Sequence, residues 1–303
     1  MHLYSNTTSF ILLLLSILLL SCSSERPCKA NLDYTLLVAN SFSVTKQDLS
    51  DNTSESVFTN SRDSEFLISC AAYDHKNDRI AIALKTKEPS TKSAKIILVE
   101  SKTPYGLVKE IETGLDRILN MSFSKNGDLA FVAGKLLLDG PHNICIIRND
   151  FEKIEGIASG RKFFGLSWNF NSKRVYFASL EGTKRMVGYL NINDPVLLHD
   201  LFEGRSISAS DNEDKVCFLD LKASAFLIKN GGVLEKLKLS PKPLDPRFAD
   251  AISFVRFGDE LIAQSYVKAT TDKLLIISPP YDEVYTLVKG VGNQSLEVIR
   301  KAK

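Results

Sequence analysis

No run of five like charges occurs in this 303-residue chain, and its 38 basic and 36 acidic residues leave a net charge of only +2. That balance excludes the basic footprint a nucleic-acid-binding protein needs. There is one Trp, and the aromatics do not interleave with a basic stripe. No G-x-S-x-G elbow, H-E-x-x-H pair or phosphate-cradling glycine loop is present, which removes the commonest hydrolase, metalloprotease and nucleotide-binding signatures. The four histidines, His2, His75, His142 and His199, share no repeat position, so no histidine-based metal or nucleophile site is expected. Five cysteines fit no zinc or redox spacing: Cys70, Cys145 and Cys217 sit in strand-like apolar surroundings and read as buried free thiols. The longest apolar run, Phe10 to Leu20, is too short to span a bilayer. Helical periodicity is missing from the body of the chain.

What is present is a repeat. An alternating strand, a polar turn and a β-branched or aromatic strand recur at CAAYDHKNDRIAIALK, MSFSKNGDLAFVAGK, LSWNFNSKRVYFAS, ISASDNEDKVCFLDLK and ISFVRFGDELIAQ. Their anchors Ile80, Leu129, Val175, Val216 and Leu261 are 41 to 49 residues apart, the period of a four-stranded propeller blade. Residues 32–67 together with the last thirteen residues supply one further blade's worth of strand. The sequence therefore predicts an all-β, six-bladed β-propeller over residues 32–303, its last blade shared between N-terminal and C-terminal strands.

The stretch from Leu166 to Asp194 resembles the WD-like repeat of TolB-type periplasmic propellers, in which a strand ending in a serine and an aromatic residue precedes a proline-aspartate-glycine turn. Here the turns are Asn171-Ser172-Lys173, Lys125-Asn126-Gly127 and Lys76-Asn77-Asp78, without proline. The pattern runs from about Phe66 to Gly290. The resemblance implies a propeller, but the family's preceding α/β domain has no room in the roughly 45 residues before the first repeat. Its partners are accordingly not carried over.

Residues 1–21 read as a lipoprotein-type signal peptide, because Leu19-Leu20-Ser21-Cys22 matches a lipobox; Cys22 is the expected lipidation site and 22–31 a tether containing Cys28. The first nine residues carry no Lys or Arg, which departs from an ordinary signal peptide. The expected location is extracytoplasmic, lipid-anchored in a bacterial cell envelope, with a monomeric chain and no cofactor or metal.

The loops leading from one repeat into the next hold Arg62, Arg117, Arg161, Arg205 and Arg247, with Lys162 and Lys289 beside them. They predict a positive collar around one mouth of the channel, taking an anionic partner such as an envelope protein segment, an acidic peptide or an acidic glycan. Against it, Asp63, Asp116, Glu203 and Asp245 are close enough in sequence to neutralise the field. The function expected is non-catalytic binding or scaffolding. The alternative is a channel enzyme, such as a calcium-dependent lactone hydrolase or a polysaccharide lyase. A carbohydrate module would instead expose Phe163, Phe202 and Phe248.

Overall fold

A computed structural model describes residues 26–27, 33–87, 93–134, 140–229, 233–237, 249–267, 270–292 and 295–301. The signal segment 1–21, Cys22, Cys28, Arg247 and Phe248 lie outside the described residues. Among the described residues no helix is long and apolar enough to cross a membrane.

Among the described residues every regular element is a strand. In chain order they are β1 (Arg26–Pro27), β2 (Tyr34–Ala39), β3 (Ser43–Asp48), β4 (Ser54–Thr59), β5 (Phe66–Asp74), β6 (Arg79–Thr86), β7 (Lys95–Glu100), β8 (Leu107–Glu112), β9 (Arg117–Phe123), β10 (Leu129–Gly134), β11 (His142–Ile147) and β12 (Ile154–Trp168). There follow β13 (Arg174–Glu181), β14 (Lys184–Asn191), β15 (Asp194–Glu203), β16 (Ser206–Ala209), β17 (Lys215–Leu219), β18 (Ala225–Lys229), β19 (Val233–Lys236), β20 (Ala249–Phe254), β21 (Leu261–Val267), β22 (Thr270–Ser278), β23 (Glu283–Gly292) and β24 (Ser295–Arg300). Consecutive strands within a sheet pair antiparallel, as short polar turns demand: the Asn169 side-chain oxygen accepts the N–H groups of Lys173 and Arg174 and closes the β12–β13 turn. Burial falls outward in each sheet. In the second sheet β6 is buried almost throughout, whereas β8 faces water at four of its six positions.

The result is an all-β propeller. Three sheets have four strands, in the orders β24-β2-β3-β4, β5-β6-β7-β8 and β16-β17-β18-β19, and a fourth has five, β1-β23-β22-β21-β20. These four stand as separate blades, against the six expected. The difference lies in β12, whose 15 residues pair with β11 in their first half and β13 in their second, so that β9 to β15 form one continuous seven-stranded sheet. The chain ends do meet in one sheet: β24 pairs with β2, from Tyr34 opposite Arg300 to Ala39 opposite Ser295. Arg26 and Pro27, within the segment read as a tether, pair in parallel with Tyr285 and Thr286 of β23.

The apolar cores lie between successive sheets and, in the seven-stranded sheet, between its two halves. Phe131 of β10 packs with Ala81 of β6, Phe177 of β13 with Ile146 of β11, and Leu36 of β2 with Leu274 of β22. Cys70, Cys145 and Cys217 are buried free thiols within these layers, and burial pushes the Cys70 and Cys145 thiols up to about 12 and about 11. Close packing makes one glycine indispensable. A Cβ on Gly188 of β14 would stand 2.4 Å from the His199 carbonyl oxygen and 2.8 Å from Phe177 Cζ, in a layer where Phe177 is fully buried. Gly188→Ala should therefore cost about 2–3 kcal/mol by overpacking, read as a lower denaturation midpoint with unchanged slope. An unchanged midpoint would mean that β14 and β15 move apart freely.

Candidate functional site: the channel and its positive mouth

The innermost strands β24, β5, β9, the second half of β12, β16 and β20 surround the axis, and each has an edge with no strand beyond it. Side chains satisfy those edges. Ser167 Oγ accepts the Ala209 N–H at 2.9 Å, Ser208 Oγ the Phe254 N–H at 3.0 Å, and Ser206 Oγ the Ile252 N–H at 3.1 Å. Trp168 Nε1 donates to the Ser122 carbonyl at 3.0 Å, and the Tyr73 N–H donates to Glu297 Oε2 at 2.7 Å. Each bond joins one inner strand to the next, so the ring is stitched from within.

Between these strands lies a cavity of about 150 Å3. Arg256, in the β20–β21 turn, fills one end of it. Its Nε lies 3.2 Å from Glu297 Oε1, and its Nη2 donates to the Phe123 carbonyl at 2.9 Å and to Ser122 Oγ at 3.3 Å. Burial pushes the Glu297 carboxyl above its ordinary value, further than Arg256 and the Tyr73 N–H pull it back. Beside this pair the His75 ring meets Phe257 edge-on at 4.0 Å. Burial and the Arg256 charge hold His75 down to about 2, so it is neutral at any physiological pH.

The opposite end opens into a cavity of about 700 Å3 whose wall includes Lys162, Arg185, Arg205 and His142, and no carboxylate among the described residues. Asn120, Ser253, Gln264 and Ser295 line its depth. Phe164 is exposed there, with the Arg185 guanidinium 5.8 Å over its ring. A cationic, partly apolar mouth of this kind favours anions that carry an apolar portion.

The four described arginines of the predicted collar separate. Arg205 lines the mouth, and Lys162 beside Arg161 does too. Arg117, the first residue of β9, lies behind it, close to His142 and Gly134. Arg161 is turned away: its guanidinium holds Asp200 at 2.5 Å and Glu181 at 3.2 Å, and these carboxylates are not among those expected to neutralise the loops. Arg62 is exposed in the β4–β5 turn, where its carbonyl accepts Lys87 Nζ. Phe163 is fully buried, edge-on to Phe177, and Phe202 stacks on Phe218 4.8 Å away, so neither presents a face at the mouth.

Arg185 and Phe164 were not singled out from the sequence. The signal for Arg185 was topological: hairpins between second and third strands open onto the same face as the connections between repeats, and Lys184-Arg185 follow the Gly182-Thr183 turn. Phe164 depends on the register break between Phe163 and Gly165, which alternation alone does not reveal.

No family model and no curated sequence matches the chain. Among solved structures it is similar to a chain of the nidogen/laminin complex, with a TM-score of 0.64 and 10% identity, covering 89% of this chain and 100% of that one. It is also similar to a putative TolB from Agrobacterium tumefaciens, with a TM-score of 0.60 and 11% identity over 88% and 97% of the two chains. TolB from Acinetobacter baumannii gives 0.58 and 17% identity, covering 87% of this chain and 66% of that one. At these identities the likeness is one of fold, and at that level the TolB-like β-propeller resemblance read from the repeats holds.

Proposed function

We propose that this chain is a six-bladed propeller acting as a non-catalytic binding or scaffolding module of a bacterial cell envelope, anchored through lipid on Cys22 and taking an anionic partner at the Lys162–Arg185–Arg205 mouth. The observation that carries the reading is a cavity wall with three cations and no described carboxylate. Six blades follow from treating β12 as the outer strand of one blade and the inner strand of the next. The apolar layers support that division, because Val132 and Ile144 pack against Val175 and Phe177 across the two halves of the seven-stranded sheet as separate blades would.

The test is a Lys162→Ser/Arg185→Ser/Arg205→Ser variant binding fluorescent polyglutamate at low and high salt. Wild-type affinity should fall steeply with salt, and the variant should bind at least about tenfold more weakly at low salt, since exposed charges act within a Debye length of roughly 10 Å. Equal binding by the two proteins would remove the anionic-partner reading. Mass spectrometry of the mature N-terminus tests the anchor: a diacylated Cys22 supports it, and an intact Met1 or a cleavage elsewhere does not.

A further inference from the structure

The positive mouth continues into the channel. Asn120, Ser253, Gln264 and Ser295 border both the cavity of about 700 Å3 and the one of about 150 Å3, so the two form one funnel with a cationic rim and an uncharged throat. The throat is open: Ser253 is exposed although it lies in β20, and Asn120, Gln264 and Ser295 are half-buried. The far end is closed. Arg256 reaches across the ring from the β20–β21 turn to the Ser122–Phe123 backbone of β9, and holds Glu297 of β24 on the way. A chain entering at the rim cannot thread past this side chain, so the funnel takes an end.

The chemistry of the throat selects which end. Amide and hydroxyl side chains donate and accept together, as each hydroxyl of a sugar does. The Tyr266 hydroxyl donates to Gln264 Oε1, which leaves the Nε2 N–H groups of that amide as donors. An extended peptide docks instead by adding its backbone to a strand edge. Here the inner edges are already capped: Ser167, Ser208 and Ser206 accept the N–H groups of Ala209, Phe254 and Ile252, and Glu297 accepts that of Tyr73. At the rim, exposed Phe164 with the Arg185 guanidinium beside its ring places an apolar surface next to a cation. That pairing suits the C–H face and the carboxylate of one sugar acid.

We propose that the funnel captures the terminal sugar acid of an acidic glycan end-on, its carboxylate among Lys162, Arg185 and Arg205, its ring against Phe164 and its hydroxyls on Asn120 and Gln264. All six residues line the same cavity, whose volume falls within the roughly 300–1,000 Å3 of small-ligand sites. The proposal rests on the anionic-partner reading above and narrows it to the uronate end of a glycan.

The probes are disaccharides with a uronate at the non-reducing end and fluorescein at the other, in gluco and galacto configuration. Their neutral counterparts and labelled tetraglutamate serve as comparisons, and anisotropy is read with wild type, Asn120→Leu/Gln264→Leu and the triple mouth variant. The better uronate should bind wild type at least about tenfold more tightly than its neutral counterpart or tetraglutamate. Asn120→Leu/Gln264→Leu should lose about tenfold for the uronate, roughly the worth of two hydrogen bonds. It should keep wild-type affinity for tetraglutamate, which also shows that it folds. A fluorophore placed on the uronate itself should cost at least about tenfold, because the funnel is blind. The proposal is overturned by uronates that bind no better than neutral sugars or tetraglutamate, by full uronate affinity in Asn120→Leu/Gln264→Leu, or by a capped uronate that binds as well as a free one. Tetraglutamate binding that is lost in the triple variant while uronates show no preference would sink the glycan end alone and leave the mouth's role standing. Binding of neither anion to wild type would remove both.

Discussion

Deletion of Ser295–Lys303 is expected to leave a chain that no longer unfolds as one cooperative unit. β24 is the innermost strand of its sheet, and every one of its six residues is paired with β2. Without it β2 presents unpaired backbone groups to the channel, and the buried Val298 and Ile299 are gone, each worth about 1.5–3 kcal/mol. The tail also carries Glu297, which ties the Arg256 turn and the Tyr73 N–H together, and Lys301, which donates to Ser50 Oγ at 2.6 Å and pairs with Asp48. These losses together approach the roughly 5–15 kcal/mol that stabilises a typical domain. The measurement is a calorimetric or circular-dichroism melt of the shortened chain. A synthetic Ser295–Lys301 peptide added in excess should restore the transition by re-adding the strand. A shortened chain that melts sharply at the wild-type temperature would show that the ring does not need its last strand.

The second large effect belongs to Arg256. Its guanidinium reaches from the β20–β21 turn to β24 on one side and to the Ser122–Phe123 backbone of β9 on the other, so one side chain joins three inner strands. Arg256→Leu strands Glu297 in the channel with only the Tyr73 N–H, and removing one partner of such a pair costs about 3 kcal/mol or more. In a chain of this length that corresponds to a fall in Tm of roughly 6 °C. Arg256→Leu with Glu297→Leu should recover part of the loss, because no charge is then left unpaired.

The same pair sets a pH dependence with a defined sign. Burial raises the folded-state pKa of Glu297 above its unfolded value. Between the two values the folded chain binds more proton than the unfolded one, so this group's contribution to stability falls as pH rises from the ordinary Glu range upward. Arg256 opposes the rise, so in Arg256→Leu the fall should be larger and extend to higher pH. In Glu297→Gln it should vanish. Melting temperatures of the three chains from pH 4 to pH 7 would check this, the other carboxylates cancelling in the differences. Parallel profiles for wild type and Arg256→Leu would refute the coupling.

Much of the architecture could be read from local pattern. Alternation along a strand and an Asn or Asp turn after it are set by residues close in sequence, so β5-β6, β9-β10, β12-β13, β16-β17 and β20-β21 were each expected where they form. Joining of the ends was also legible, since the N-terminal pieces lacked one strand and the C-terminus had one to spare. Where blades divide was not. Ile154 to Trp168 contains three glycines and no proline, and nothing local stops it from pairing on both sides in turn.

The site was less accessible for a physical reason. A charge in a sequence has a sign, but its field depends on what is placed beside it. Arg161 is silenced by Asp200, 39 residues away, and Arg62 sits in an exposed turn, whereas Arg185 joins Lys162 and Arg205 only because a hairpin folds toward the mouth. Arg117 and His142 are 25 residues apart and face each other solely because Gly134 comes between them in the ladder. By itself the sequence determined a ring of antiparallel strands with an excess of arginine in its connecting turns, because strand periodicity and turn chemistry act over a few residues. Which of those charges meet and which are cancelled were decided by the tertiary structure, because only the pairing of strands distant in sequence brings such side chains within hydrogen-bonding reach.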